Sequence, residues 1–430
     1  MIGAGLAGSE AAMQLARRGV AVDLYEMRPQ RMTEAHTTAH CAELVCSNSF
    51  GSQAPNAASR ILKDELRQLG AFVLTTAQEN AVPAGASLAV DREKFSQAIT
   101  LALKSHPLIQ FHEEEMASLP QEGIVIVATG PLTTKPLCQS LATLLGEKSL
   151  YFYDAISPIL SADSLDMNFM FRANRYDKGD TADFLNIPLT KAEYESFVDD
   201  LLTAEVVLPH DFEEEKYFEG CMPIEALAAR GKKTLAFGPL KPAGLTDPKT
   251  GRWPYAAIQL RLENQHGTSY NLVGCQTKLK YKEQERIFRK LPGLKNAEFL
   301  RLGSMHRNTY LHSPKVLSPT LQLRQHPRIF IAGQLTGTEG YLESSATGLI
   351  AGVNAARLAQ GESLIELPAQ SMLGALLQAI SEEKRENFQP MNANIGVLPP
   401  LATPVRDKAE RNRQHAERSQ NVISNLMSSW

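Results

Sequence analysis

Residues 2–8 read Ile2-Gly3-Ala4-Gly5-Leu6-Ala7-Gly8, and they contain a G-x-G-x-x-G motif. Residues 9–18 have the composition of a helix, and residues 20–25 form an apolar stretch that is followed directly by Glu26. This order of glycine turn, helix, strand and acidic residue is typical of a βαβ unit that binds a dinucleotide. The sequence therefore predicts a dinucleotide site at the start of the chain.

Each part of this segment has a physical role in such a site. The glycines allow a tight turn and let the backbone approach a pyrophosphate, while the helix N-terminus offers free N–H groups to phosphate. Glu26 can accept a hydrogen bond from a ribose hydroxyl. The predicted cofactor-binding residues here are Gly3, Ala4, Gly5, Leu6, Ala7, Gly8 and Glu26.

Two later apolar stretches also end in glycine. Residues 124–128 lead into Thr129-Gly130, and residues 328–332 lead into Gly333-Gln334 and a helical stretch. Flavoproteins with two dinucleotide-binding folds are similar in this respect. We therefore add Gly130, Gly333 and Gln334 to the predicted cofactor-binding residues.

The predicted fold class is α/β, with a discontinuous, Rossmann-like parallel sheet and an inserted α+β domain. We expect the N-terminal part of an FAD-binding domain in residues 1–155 and an insertion or substrate domain in residues 156–300. Residues 301–430 then supply the C-terminal part of the FAD-binding domain and a helical tail.

The composition describes an ordinary globular chain. Its 430 residues carry a net charge of −3, with 43% hydrophobic and 21% charged residues. The net charge of the whole chain therefore does not favour binding to nucleic acid or to a membrane. No run reaches the ~18 apolar residues of a membrane-spanning helix, and we expect a cytoplasmic protein. The five cysteines are then reduced, and the lack of a C-x-x-C pattern predicts no metal site.

Only Met1 and Ile2 precede the glycine motif. The strand before such a motif lies at the centre of the sheet and usually runs about five residues. We therefore expect the natural protein to begin several codons upstream, at an apolar strand that precedes Ile2.

Charge changes sign along the middle of the chain. Residues 183–219 hold 11 acidic and two basic residues, whereas residues 276–327 hold 11 basic and three acidic residues, a net charge of +8. The basic segment has two interpretations, a solvated face or a surface that meets RNA phosphates.

Cys41 and Cys46 form a C-x₄-C pair that has two interpretations. Flavin disulfide reductases carry a redox-active pair with this spacing, but there the pair is surrounded by glycine. Alternatively, Cys46 acts alone, because the small polar residues 47–49 that follow it suit an activated thiol at a turn. Cys221 lies between Gly220 and Pro223, as a positioned cysteine would, while Cys138 and Cys275 better fit inert thiols.

The chain resembles a known family, the bacterial folate- and FAD-dependent tRNA (uracil-5-)-methyltransferases. The resemblance runs essentially from end to end. It is carried by residues 3–12, Glu43-Leu44-Val45-Cys46-Ser47-Asn48-Ser49, Glu219-Gly220-Cys221-Met222-Pro223-Ile224-Glu225, and residues 276–281, 305–310 and 333–341. The last of these is also similar to the larger flavoprotein that modifies wobble uridines.

The resemblance implies methylation of carbon 5 of uridine 54 in the T loop of tRNA. The methylene would come from 5,10-methylenetetrahydrofolate, and NADPH or NADH would supply electrons through FAD. The family's catalytic cysteines fall on Cys46, as the nucleophile, and on Cys221, as the base that removes the C5 proton. Lys278, Lys280 and Arg307 are candidates for contacts with the RNA backbone, and they could equally be solubility charges.

Other functions stay open at this point. The same chemistry could act on a ribosomal RNA uridine, and the sequence does not separate the two substrates. A flavin thiol-disulfide oxidoreductase would use Cys41 and Cys46, and a non-catalytic flavoprotein would only bind RNA. The resemblance implies tRNA as partner, with neither a membrane nor an obligate protein partner.

Overall fold

A computed structural model describes residues 1–146, 150–178, 181–207, 217, 220, 222–385, 388–428 and 430. Its helices are α1 (Leu6–Arg17), α2 (Ala58–Gln68), α3 (Phe72–Glu79), α4 (Arg92–Ser105), α5 (Lys135–Leu145), α6 (Lys191–Thr203), α7 (Ile224–Ala229), α8 (Thr234–Phe237), α9 (Tyr281–Phe288), α10 (Ser313–Val316), α11 (Tyr341–Ala359), α12 (Met372–Ser381) and α13 (Lys408–Leu426).

Sixteen strands are described along the chain. They are β1 (Val22–Glu26), β2 (Ser49–Ser52), β3 (Ala81–Val82), β4 (Ser87–Val90), β5 (Ile109–Glu113), β6 (Val125–Val127), β7 (Leu150–Ala155), β8 (Ile159–Ser161), β9 (Phe171–Arg172), β10 (Leu185–Leu189), β11 (Ala256–Leu262), β12 (Ser269–Val273), β13 (Phe299–Arg301), β14 (Met305–Tyr310), β15 (Gln322–Leu323) and β16 (His326–Ile331).

A parallel sheet joins the two ends of the chain. β1 pairs with β5 and β16 pairs with β6, both in parallel, and β15 adds an antiparallel edge strand. Ile2 lies between the two pairs, where it forms parallel bridges with Tyr25 and Val127. The spatial order is therefore β5, β1, Ile2, β6, β16 and β15, and the predicted α/β fold with a discontinuous parallel sheet is confirmed.

Helices α1 and α11 pack against each other unusually closely on this sheet. A Cβ atom on Gly348 would lie 2.2 Å from the carbonyl oxygen of Ala7, and one on Gly352 would lie 2.7 Å from that of Ala11. Small residues are therefore required along this contact. The contact joins the first helix of the chain to a helix more than 320 positions later.

A second sheet stands in the middle of the chain. Its order is β13, β8, β12, β11, β10 and β9, and all the pairings are antiparallel. Alternate residues such as Ile258 and Leu260 pack with α6, α7 and α9 in a separate apolar core. The inserted α+β unit is thus present, while the boundaries at residues 155 and 300 stay predictions.

Strands β7 and β14 connect the two units. They pair in antiparallel register, with Asp154 opposite His306 and Ala155 opposite Met305. One strand leads the chain into the inserted sheet and the other leads it back. Both therefore lie at the junction between the two units.

The C-terminal helices dock on α2. The buried Glu65 carboxylate accepts the backbone N–H groups of Met372 and Leu373 at 2.5 and 2.8 Å, so it caps the start of α12. Ser419 on α13 also donates to Glu65. No helix in the described residues is long and apolar enough to cross a membrane.

Candidate active site at the junction of the two units

The predicted phosphate-binding turn has the expected backbone. Gly3 has a φ of +94°, and a Cβ there would lie 2.6 Å from the carbonyl oxygen of Ala128. α1 then begins at Leu6, with Gly5 in an extended conformation as its N-cap and no side-chain cap among the described residues. A Cβ on Gly5 would meet no protein atom within 4 Å. The N–H groups of the first turn therefore face open space that suits a phosphate.

A cleft of about 800 Å³ opens in front of this turn. It is lined by most of the predicted cofactor-binding residues, namely Gly3, Gly5, Leu6, Ala7, Glu26, Gly130, Gly333 and Gln334. Ala4 and Gly8 do not line the cleft and are buried beneath the residues that do. Gly8 packs so closely on the turn that a Cβ there would lie 1.9 Å from the carbonyl oxygen of Gly3.

Glu26 is buried at the end of β1 and held in place there. Its carboxylate accepts the Ala4 N–H at 2.9 Å and the Arg28 Nε–H at 2.9 Å. Burial alone would raise the pKa of Glu26, but the hydrogen bonds and charge of Arg28 outweigh it and lower the pKa. The carboxylate is therefore ionised, and it keeps spare acceptor capacity for a ribose hydroxyl.

Cys46 lies in a second cavity that adjoins this cleft. Ser47 and Ser49 line the same cavity. The two cavities share six lining residues, which are Val45, Pro131, Leu132, Gln334, Tyr341 and Ser344. The cleft and the cavity that contains Cys46 are therefore neighbours.

The start of α11 fixes the turn that carries Cys46. The Tyr341 hydroxyl oxygen accepts the N–H of Cys46 at 2.8 Å and the N–H of Ser47 at 3.2 Å. Burial, followed by the nearby Cys46, raises the pKa of Tyr341, so its phenol stays protonated. A tyrosine from the C-terminal part of the chain thus positions a cysteine from the N-terminal part.

An acid and an imidazole line the same cavity. Glu339 is buried and accepts a hydrogen bond from Gln334 Nε2 at 2.5 Å. Its burial, together with the charge of Asp154, raises its pKa well above the usual range, so the acid holds its proton. Burial lowers the pKa of His306, which leaves this imidazole neutral. Such groups suit proton transfer next to a reacting thiol.

Comparison with known proteins gives the family. The family model described as "Glucose inhibited division protein A" matches residues 1–363. The methylenetetrahydrofolate--tRNA-(uracil-5-)-methyltransferase TrmFO of Desulforamulus reducens is 54% identical over 423 residues, which cover 98% of this chain and 96% of that protein. The TrmFO of Enterococcus faecalis is 52% identical and covers 100% of this chain and 98% of its own length.

The chain belongs to the TrmFO family. Among solved structures, GidA of Aquifex aeolicus has a TM-score of 0.70 at 16% identity. The match covers 99% of this chain and 72% of that one, and it supports the fold. The resemblance that the motifs carried is thereby confirmed.

The other cysteines of this TrmFO-family chain differ from Cys46. Cys41 is fully buried, and burial raises the pKa of its thiol to about 11. Burial raises the pKa of Cys275 to about 12. Cys41, Cys46, Cys138 and Cys275 are all free thiols, and Cys221 lies outside the described residues.

The three RNA-binding candidates lie in different environments. Lys278 is only 8% exposed, and its Nζ lies 5.5 Å from the centre of the Tyr217 ring. Lys280 is exposed and pairs with Glu205 at 2.7 Å. The Arg307 guanidinium stacks 4.1 Å from the centre of the Tyr151 ring. Lys280 is thus the most accessible of the three to a phosphate.

Sequence reasoning did not find several residues of this TrmFO-family site. Tyr341 lies within a motif that supported the family resemblance, but nothing in its spacing pointed to Cys46. Arg92 bonds to Glu263 and to the carbonyl oxygens of Leu44 and Cys46, although these residues are far apart in sequence. Only the alternation of polar residues along β11 could have drawn attention to that part of the site.

Proposed function

We propose that this chain methylates carbon 5 of uridine 54 in the T loop of tRNA. The methylene would come from 5,10-methylenetetrahydrofolate, and NADPH or NADH would supply the electrons through FAD in the cytoplasm. Support comes from the six residues that line both the dinucleotide cleft and the cavity that contains Cys46. The close TrmFO relatives add to this support.

The cleft residues would hold the cofactor by simple contacts. The first turn of α1 would meet the pyrophosphate, and Glu26 would accept a hydrogen bond from the adenosine ribose. Bound FAD supplies the electrons that reduce the transferred carbon to a methyl group. Gln334 and Tyr341 line both cavities and would lie beside the cofactor where the cavities meet.

Cys46 would activate the base. Carbon 5 of uracil is a weak nucleophile until a thiolate bonds to carbon 6 and the π electrons move towards the C4 oxygen. Carbon 5 of this enolate then bonds to the methylene carbon of the folate as one carbon–nitrogen bond of that carbon breaks. Removal of the C5 proton expels tetrahydrofolate by cleavage of the remaining carbon–nitrogen bond and leaves a methylene group on carbon 5. A hydride equivalent from the reduced cofactor would convert this methylene to methyl, as the Cys46 thiolate departs and the ring is restored.

The proton at carbon 5 needs a base in the same cavity. Cys221 remains our candidate from the family resemblance, and it lies outside the described residues. The neutral His306 imidazole would accept that proton once it leaves carbon 5, whereas the protonated Glu339 would donate one. Because uridine 54 stands inside a folded loop, it must turn outward to reach Cys46.

Nucleoside analysis tests this function directly. A bacterial strain that lacks its own enzyme of this family would receive either the wild-type chain or the Cys46→Ala variant. We expect 5-methyluridine at position 54 of tRNA only with the wild-type chain. If 5-methyluridine instead returned in ribosomal RNA, the proposed substrate would be wrong, and if it returned in neither RNA, the proposed activity would be wrong.

The basic residues predict a change in salt dependence. Each phosphate contact adds about 0.7 to 0.9 to the slope of log affinity against log salt. We expect the triple variant with Lys278, Lys280 and Arg307 changed to alanine to bind tRNA with a smaller slope. Filter binding across a salt series measures it, and Lys104→Ala on α4 serves as the exposed lysine control. Equal slopes in all three proteins would show that these residues only solvate the surface.

A further inference from the structure

The face of the inserted sheet that looks towards Cys46 carries a buried arginine. Residues of β11 alternate, so Ile258 and Leu260 enter the apolar core while Arg261 points to the opposite face. Arg261 is only 9% exposed, and within the described residues nothing accepts a hydrogen bond from it. Its Nε is fully enclosed. A guanidinium at this depth without a hydrogen-bond acceptor is costly for the fold.

A second unused donor stands beside Arg261. Asn271 on β12 is its direct partner in the antiparallel register, so the two side chains share one face. The Nδ2 of Asn271 is also buried without a partner in the described part of the chain. Two adjacent strands therefore offer hydrogen-bond donors to the same place, and no acceptor from the described residues fills it.

Other polar side chains on this face do have hydrogen-bond partners, so the missing acceptors at Arg261 and Asn271 are a local feature. Along the same strands, Arg175 Nε donates to Gln259 at 2.8 Å, and Gln259 Nε2 donates to Asn186 at 3.0 Å. The fold thus satisfies polar groups elsewhere on this surface. The exception at Arg261 and Asn271 is best explained by a ligand that brings its own acceptor.

Arg261 and Asn271 lie close to the segment that carries Cys46. Arg92 contacts the Cys46 carbonyl at 3.4 Å and pairs with Glu263, two residues beyond Arg261. Arg261 lies within electrostatic range of Glu263, Cys46 and Tyr341. Two guanidinium groups therefore share the single carboxylate of Glu263, and the local charge of these three side chains is positive.

We propose that Arg261 and Asn271 bind a phosphate oxygen of the RNA, on the nucleotide whose base Cys46 attacks. This inference rests on the proposed function and names a subsite for its substrate. In a uridine nucleotide the 5′ phosphate lies on the same side of the sugar as carbon 6. A base positioned against Cys46 therefore carries its phosphate into the same region, where a guanidinium is the preferred donor.

The folate carboxylates are the other oxyanions of this reaction. They lie at the end of the molecule remote from the one-carbon unit. Because that unit must meet carbon 5, which adjoins the carbon that Cys46 attacks, the carboxylates would be held far from Cys46. The geometry therefore favours phosphate over carboxylate at Arg261.

The test compares Arg261→Met with Arg175→Met in the purified holoenzyme. Unmodified tRNA transcript is the probe, titrated over a salt series. For Arg261→Met we expect roughly 10- to 100-fold weaker binding and a salt slope smaller by about 0.7 to 0.9. The melting temperature should not fall, because the Arg261 guanidinium has no hydrogen-bond acceptor in the described part of the chain and methionine has a similar volume. Arg175→Met should bind tRNA normally and melt at a lower temperature, because it loses satisfied hydrogen bonds.

Further measurements separate the alternatives. Arg261→Lys should recover part of the tRNA affinity, and binding of tetrahydrofolate, followed by the flavin absorbance, should be unchanged in Arg261→Met. Normal tRNA affinity in Arg261→Met, a lower melting temperature, or a loss confined to tetrahydrofolate would each overturn the inference. A wild-type enzyme that binds no tRNA would instead overturn the proposed function itself.

Discussion

Replacing Cys46 with alanine should abolish methyl transfer while FAD stays bound. The thiol is the proposed nucleophile, and removal of a nucleophile lowers turnover by at least about 10³-fold. The cleft residues that would hold FAD do not depend on the Cys46 side chain, because its contact with Tyr341 is made by the backbone N–H. Incorporation of labelled methyl groups into tRNA measures the activity, and the flavin absorbance of the same preparation measures the bound cofactor.

Cys41→Ala is the matched control for this experiment. Cys41 is fully buried, and the pKa of its thiol is raised to about 11, so it is a poor nucleophile near neutral pH. We expect this variant to keep most of the activity. Equal loss in both variants would contradict the single-nucleophile mechanism and would favour a redox pair of Cys41 and Cys46.

Gly8→Ala should destabilise the folded state and weaken cofactor binding. The added methyl group would lie 1.9 Å from the carbonyl oxygen of Gly3, so α1 could not keep its distance from the turn. Because the obstacle is backbone, we expect a loss of about 3 kcal/mol in the free energy of unfolding, the upper end of the usual cost of overpacking. Denaturant titration and the ratio of FAD to protein measure the two effects.

Gly5→Ala separates folding from cofactor binding. Its φ of −69° suits alanine, and the new Cβ would meet no protein atom within 4 Å. We therefore expect the flavin-free variant to melt like the flavin-free wild type. FAD affinity should fall, because the methyl group occupies the space that a pyrophosphate would enter. Unchanged FAD affinity would place the pyrophosphate elsewhere, and a destabilised apoprotein would contradict the steric argument.

Local features of the fold could be predicted from the sequence because they rest on short-range rules. The glycine motif, the helix after it and Glu26 lie within one βαβ unit, and α1 begins at Leu6, three residues before the predicted start. The stretch predicted at residues 328–332 is the strand β16, His326–Ile331. Such elements follow from turn chemistry and from apolar runs.

The contacts between distant segments could not be predicted in this way. Tyr341 meets Cys46 across 295 positions, and Arg92 meets Glu263 across 171. The charge run in residues 276–327 suggested exposed lysines, yet Lys278 is buried on the inserted unit. Sequence pattern reports the periodicity of a segment, whereas burial and pairing depend on which other segment packs on it.

The packing of α1 on α11 has a consequence for how the protein is made. The N-terminal glycine turn leaves the ribosome first. The helix that follows the turn, α1, packs on Gly348 and Gly352 of α11, and β6 pairs with β16, so both contacts need segments that are made much later. The inserted sheet, from Ile159 to Arg301, has its own apolar core and can form while synthesis continues. The flavin can be loaded only after residue 359 has emerged, so a chain interrupted earlier would leave the ribosome without its cofactor.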